Sequence, residues 1–300
     1  MKSAKFWNEK YHQGENISKL MREDINIDHN SKEIIEMSYE LQSGSYSKNM
    51  KNEDIKRIKK LFTEELVKVI TAFTSYNNIL EAGIGEATTF SGVISKVDES
   101  VKCYGFDLSW SRIAYANKWL NENNLNNFSL CTGDLMNIPF LENSIDIVYT
   151  CHSIEPNRGN EKDILKELYR ITNKYLILLE PGYELTNEEN RKRMESHKYC
   201  KKLKETALNL GYNVLEHKLF KYSINPVNPT AITIIEKNKE ARSSFLPVFA
   251  CPLHKTELSK NLDCYYSKEA MSIYPIIMDI PCLRTENSIL ATKFEELKNK

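Results

Sequence analysis

The stretch NILEAGIGEATT, residues 78–89, decides the fold: a short apolar run enters a tight glycine turn and leaves it as a helix start. Gly83 and Gly85 allow positive φ and bring the backbone close to a ligand with no Cβ in the way, while the following helix offers unpaired N–H groups. Such a turn seats a nucleotide-like cofactor. A dinucleotide loop, G-x-G-x-x-G, would have a third glycine where this chain has Thr88, so a pyrophosphate fits poorly. Glu81 stands just before the turn, and its carboxylate would repel a pyrophosphate and attract an ammonium.

Two further segments repeat the pattern. VKCYGFD at 101–107 reads as a second strand ending in Asp107, about 20 residues past the glycines, where a carboxylate can hold ribose hydroxyls. Ser109 or Asp107 is available to cap the helix that follows through Arg112, Ala116 and Leu120. FSLCTGDL at 128–135 gives a third strand and a third acid, Asp134. A fourth strand, SIDIVYT at 144–150, delivers CHSIEPN, residues 151–157, to the same rim. A nearly all-apolar fifth, KYLILLE at 174–180, is expected at the sheet centre. Residues 163–171 read as a helix with Ile164, Leu165, Leu168 and Ile171 inward, and a charged helix is expected over 187–210. Two later strands are expected at 213–219 and 230–236.

Glu81-x-Gly83-x-Gly85, with Asp107 and Asp134 at the ends of the next two strands, resembles the motifs of class I S-adenosylmethionine-dependent methyltransferases of the small-molecule type. Ala87 stands where that family's third glycine falls. The resemblance implies an α/β, Rossmann-like, seven-stranded sheet with helices on both faces over residues 53–240. It implies S-adenosylmethionine as cofactor, held by Glu81, Gly83, Gly85, Asp107, Leu108, Asp134, Leu135 and Cys151, with Asp134 on the adenine side. Residues 1–52 are expected to form an N-terminal helical lid, in which Tyr39 and Tyr46 face cofactor or substrate. A sulfonium methyl is a strong electrophile, so the enzyme must align a nucleophile and remove its proton. His152 is the first choice as base, with Glu155 beside it and His197 a third catalytic candidate. Glu180, Tyr183 and Arg193 are candidate acceptor contacts, and the basic helix around Arg193 suits an anionic acceptor. Asn225 and Asn228, set in a loop stiffened by two prolines, are left open between shaping that loop and reaching the acceptor.

Residues 241–300 differ in kind, reading as a small β-rich module. Cys251 with His254, and Cys264 with Ser267, take the spacing of two zinc knuckles, but serine is a poor zinc ligand. The run YPIIMDIP at 274–281 resembles the zinc-ribbon-like activator subunit of RNA and protein methyltransferases. With one ligand replaced, a metal-free, packed remnant is expected; Cys251, His254 and Cys264 would be the ligands if zinc were held. Docking on the catalytic region or pairing two copies as a homodimer is the work expected of it.

Forty-one basic and 41 acidic residues leave no net charge to draw the chain to nucleic acid or membrane, so any electrostatic steering must be local. Seven cysteines, an odd number scattered along the chain, and no signal-like or membrane-length apolar run suggest a cytoplasmic protein with reduced thiols. The leading expectation is methyl transfer to an O or N atom of a small, anionic or sugar-linked metabolite. RNA methylation and noncatalytic cofactor binding are the alternatives.

Overall fold

The computed structural model describes residues 2–237 and 248–298; the expected boundary at 240/241 lies outside the described residues. Seven strands form the main sheet: β1 (Asn78–Ala82), β2 (Lys102–Asp107), β3 (Phe128–Thr132), β4 (Ile145–Cys151), β5 (Thr172–Pro181), β6 (Asn213–Leu219) and β7 (Thr230–Glu236). Their spatial order is β3-β2-β1-β4-β5-β7-β6, with β1 to β5 parallel and β7 antiparallel between β5 and β6. The order reverses between β1 and β4. Ligands of open α/β sheets collect at the carboxyl ends of strands beside such a reversal.

Ten helices are used below. The N-terminal four are α1 (Ala4–His12), α2 (Ile17–Ile25), α3 (Lys32–Gln42) and α4 (Ser45–Asn49). Trp7, Ile17, Met21 and Ile34 give the first three a small apolar core of their own. The sheet is flanked by α5 (Glu53–Ala72), α6 (Phe90–Ile94), α7 (Trp110–Glu122), α8 (Glu161–Ile171), α9 (Glu188–Ser196) and α10 (Leu203–Asn209). Side chains alternate across a strand. Ile79 and Ile147 accordingly pack with Phe62 of α5 and Ile113 of α7 on one face, while Leu80 and Val148 pack with Ile164 of α8 and Leu203 of α10 on the other. Ser109 caps α7, its hydroxyl accepting from the Arg112 N–H at 3.1 Å.

The single charged helix expected over 187–210 is two. Lys198 and Lys202 both take positive φ (59° and 58°), which ends one helix and starts the next. Between them the Cys200 N–H donates to the Glu155 carbonyl at 2.8 Å, drawing the link toward the cavity.

The C-terminal residues form a second small sheet of β8 (Ser259–Lys260), β9 (Cys264–Ser267), β10 (Ser272–Ile277), β11 (Ile280–Pro281) and β12 (Ile289–Leu290). It covers the outer side of β3. Cys282 bridges Thr132 in parallel, Phe249 bridges Phe140, and the Leu141 and Ala250 N–H groups donate to the Val248 and Pro139 carbonyls, each at 2.9 Å. Covering an edge strand removes unpaired backbone from solvent. The Cys251 thiol is buried 3.4 Å from the Tyr274 hydroxyl, and among the described residues no three His, Cys, Asp or Glu side chains converge as a metal ion would require. No helix among them is long and apolar enough to cross a membrane.

Candidate cofactor and acceptor site

A cavity of about 520 Å³ opens over the carboxyl ends of β1 to β4. That is within the range of small-ligand sites. Its floor is the glycine turn. Gly83 (φ 73°) lies so close to Ser153 that a Cβ would stand 2.2 Å from the serine Cβ, and a Cβ on Gly85 (φ 57°) would meet the Arg112 guanidinium at 2.6 Å. Ala87, at the third motif position, is buried with φ 58°, a left-handed conformation costing an L residue about 1–2 kcal/mol. The turn keeps its shape there at the expense of strain.

Three buried acids line the floor. Asp107 accepts from the Gly85 N–H at 2.8 Å and the Ser109 N–H at 3.0 Å, one on each oxygen, which fixes the carboxylate while leaving lone pairs for hydroxyl donors. Asp134 accepts from the Met136 N–H at 2.9 Å through Oδ1; its buried Oδ2 has no hydrogen-bond partner, although the Lys32 ammonium lies 3.3 Å away. Glu81 accepts from the Tyr149 hydroxyl at 2.8 Å, and burial pushes its pKa up to about 8 against the opposing pull of that bond and of Lys59. Lys59, beside it, donates to the Thr89 hydroxyl at 2.8 Å and is held below the usual lysine range by burial. Burial also raises the Cys151 thiol to about 12, so it stays neutral.

A second wall of the cavity is built by the turn after β4. His152 takes positive φ (56°); its Nδ1 lies 2.6 Å from Glu155 Oε2 and its Nε2 2.8 Å from the Thr230 hydroxyl. Asn228 donates to the same Glu155 oxygen at 2.8 Å. Burial alone would lower the His152 pKa, but the hydrogen bond and charge of Glu155 outweigh it and hold the pKa above the ordinary value. The same contact, with Asn228 and Tyr199, overcomes the burial of Glu155 and holds its pKa low. An imidazolium between two acceptors satisfies both distances. Arg193 also lines the cavity, and its buried Nη1 has no hydrogen-bond partner.

Of the residues expected from sequence, Tyr39, Tyr46, Glu81, Gly83, Gly85, Asp107, Leu108, Asp134, Leu135, Cys151, His152, Glu155 and Arg193 all line this cavity. Three do not. Glu180 lies beneath it, accepting from the Ser153, Ile154 and Glu155 N–H groups at 3.0–3.2 Å, so it shapes the turn that carries His152. Tyr183 donates to Glu195 at 2.7 Å outside the lining, and His197 ends α9, its ring stacked 5.2 Å from Tyr199. Glycine-turn reading missed Glu86, whose buried carboxylate accepts from the Gly44, Tyr46 and Ser47 N–H groups and from the Ser47 hydroxyl, latching the start of α4 to the glycine turn. It missed Lys59 and the guanidinium of Arg112, which lies 4.8 Å from the ring centroids of both Tyr39 and Tyr46. The second sheet reaches the same wall: Arg284 donates to both oxygens of Glu36 on α3, at 2.5 and 2.8 Å, and to the Leu108 carbonyl at 3.1 Å.

Residues 79–174 match a family model described as a methyltransferase domain. No curated protein matches the chain. Among solved structures, magnesium protoporphyrin IX methyltransferase of Synechocystis PCC 6803 with bound S-adenosylmethionine is 14% identical. The match covers 69% of this chain and 97% of that one, with a TM-score of 0.51. The complex between the Haloferax volcanii Trm112 methyltransferase activator and the putative methyltransferase gives 12% identity, 66% and 96% coverage, and a TM-score of 0.50. At such identities the likeness is one of fold. The matched span runs from β1 into β5, so the methyltransferase-domain likeness falls on the parallel half of the seven-stranded sheet.

Proposed function

We propose that this methyltransferase-domain chain transfers the methyl group of S-adenosylmethionine to an O or N atom of a small anionic metabolite held between His152 and Arg193. The observation that carries the reading is the juxtaposition, in one cavity of about 520 Å³, of three buried acids with a paired histidine and an arginine whose Nη1 has no partner. The volume supports a cofactor and a small acceptor rather than a large one. Asp107 would hold the ribose hydroxyls, Asp134 the adenine amine, and Glu81 and Lys59 the ammonium and carboxylate of the amino-acid end. When bound, the cofactor supplies a methyl group on a sulfonium, already activated for displacement.

The remaining work falls to the chain's own side chains. Arg193 orients the acceptor through its anionic group, and the lid excludes water. His152 takes the acceptor's proton once its own has left, because the ring donates from both nitrogens in its charged state. Turnover is therefore expected to rise with pH through a pKa above 6.5. Glu155→Gln should move that limb to lower pH, since burial then acts on His152 with only the more distant Glu180 charge opposing it. A pH–rate profile unaltered by the substitution would remove His152 as the base.

The test of the whole reading is calorimetry with S-adenosylmethionine, followed by methyl-transfer assays on a metabolite panel sorted by charge. Acceptors bearing a carboxylate or phosphate are expected to turn over. Arg193→Gln is expected to raise their KM by roughly 10- to 100-fold, as loss of a charge-assisted hydrogen bond does. A panel in which neutral acceptors perform as well, and the variant changes nothing, refutes the anionic class.

A further inference from the structure

A second, larger concavity of about 1030 Å³ lies on the outer helical face, between α5, α6 and α7, with α4 at its upper end. Seven lysines line it against two glutamates, in a chain whose overall charge is zero. Glu53 stands 3.6 Å from Lys56 and Glu122 3.9 Å from Lys118, while Lys96 faces Glu64 at 3.8 Å. Lys48, Lys51 and Lys60 have no acid within 4 Å among the described residues. All three are exposed.

The rest of the lining is chemically specific. Thr63, Ser91, Gly92 and Ser95 carry no bulky side chain, which lets a chain lie low in the groove. Trp119 is fixed by its Nε1–H donating to Ser91 Oγ at 3.0 Å, and Tyr115 is 40% exposed. Lysines meet phosphates as point charges without reading sequence, and aromatic rings beside them accept stacked bases. An acidic polypeptide would use the lysines and leave the rings idle. We propose that this groove binds single-stranded nucleic acid, its phosphates on Lys48, Lys51 and Lys60 and its bases on Tyr115 and Trp119. The groove adjoins the reaction cavity, Met50, Lys59 and Thr88 lining both, and the proposal stands whichever molecule accepts the methyl group.

The experiment is a titration of the full chain with a short, labelled oligouridylate, followed by anisotropy at several salt concentrations. Binding at low salt is expected. The combined change Lys48→Glu, Lys51→Glu and Lys60→Glu should weaken it at least tenfold and flatten the slope of log affinity against log salt by about 2, at roughly 0.7 per phosphate contact. Calorimetric affinity for S-adenosylmethionine should stay as in the parent chain. Tyr115→Ala, which removes no charge, should weaken the oligonucleotide severalfold with the salt slope unchanged, and this keeps the test decisive if the triple variant folds poorly. No binding at low salt, or undiminished binding by both variants, overturns the proposal. So does equal displacement by polyglutamate, which would mark a surface for acidic polypeptides, or by free UTP at matched phosphate concentration, which would mark a mononucleotide site.

Discussion

Asp107→Ala is expected to weaken S-adenosylmethionine binding by about 1.5–3 kcal/mol, the range for hydrogen bonds to a charged group, or roughly 10- to 150-fold in Kd. The carboxylate has two duties. In the proposed function it offers acceptors to the ribose, and in the structure it holds the Gly85 and Ser109 N–H groups, tying the glycine turn to the start of α7. Removing it leaves both donors short of a partner and takes away the anion that stabilises the charge of buried Arg112. The melting temperature should therefore fall together with affinity. Calorimetry of the purified variant checks the claim, and an unchanged Kd would take Asp107 out of the site.

The second large effect is expected at Glu86. Its carboxylate accepts three backbone N–H groups at the start of α4, together with the Ser47 hydroxyl, and it follows the glycine turn directly. Glu86→Ala leaves those donors unpaired, a loss on the order of 3 kcal/mol, given that charged hydrogen bonds are worth about 1.5–3 each and do not add fully. The start of α4 should part from the turn. Tyr39 and Tyr46, which flank Arg112, move with it, so the expected outcome is faster proteolytic cutting near residues 44–52 and weaker cofactor binding. Parent-like resistance to protease in the variant would show that the lid is held by its apolar contacts instead.

The sheet was legible because each strand carries its own signature: an apolar run, then a turn or an acid. The parallel strands β1 to β5 and the later pair β6 and β7 all fall within a few residues of expectation. The floor of the cavity was legible for the same reason, since Glu81, Asp107 and Asp134 follow directly from strand ends. The acceptor side was only partly legible. His152 and Glu155 lie next to β4 in sequence, but Thr230 and Asn228, which fix them, come from the far end of the sheet, and nothing local announces that pairing. Glu180 looked like a contact residue because it ends a central strand, yet backbone N–H groups of the neighbouring turn claim its carboxylate. The break between α9 and α10 was hidden because two lysines, good helix formers by propensity, take left-handed φ under tertiary pull. Charge clustering was hidden as well. A zero sum over 300 residues conceals seven lysines that three helices and two turns bring to one face.

Cys282 and Phe249 anchor the tail along the flank of β3, and Arg284 carries it on to α3 and the Leu108 carbonyl. Shortening the polypeptide ahead of residue 248 would strip partners from Pro139 and Thr132 and bare Phe140 to water. Loss of the tail is therefore expected to lower the melting temperature of the main sheet and to leave the β3 edge open to pairing with other chains.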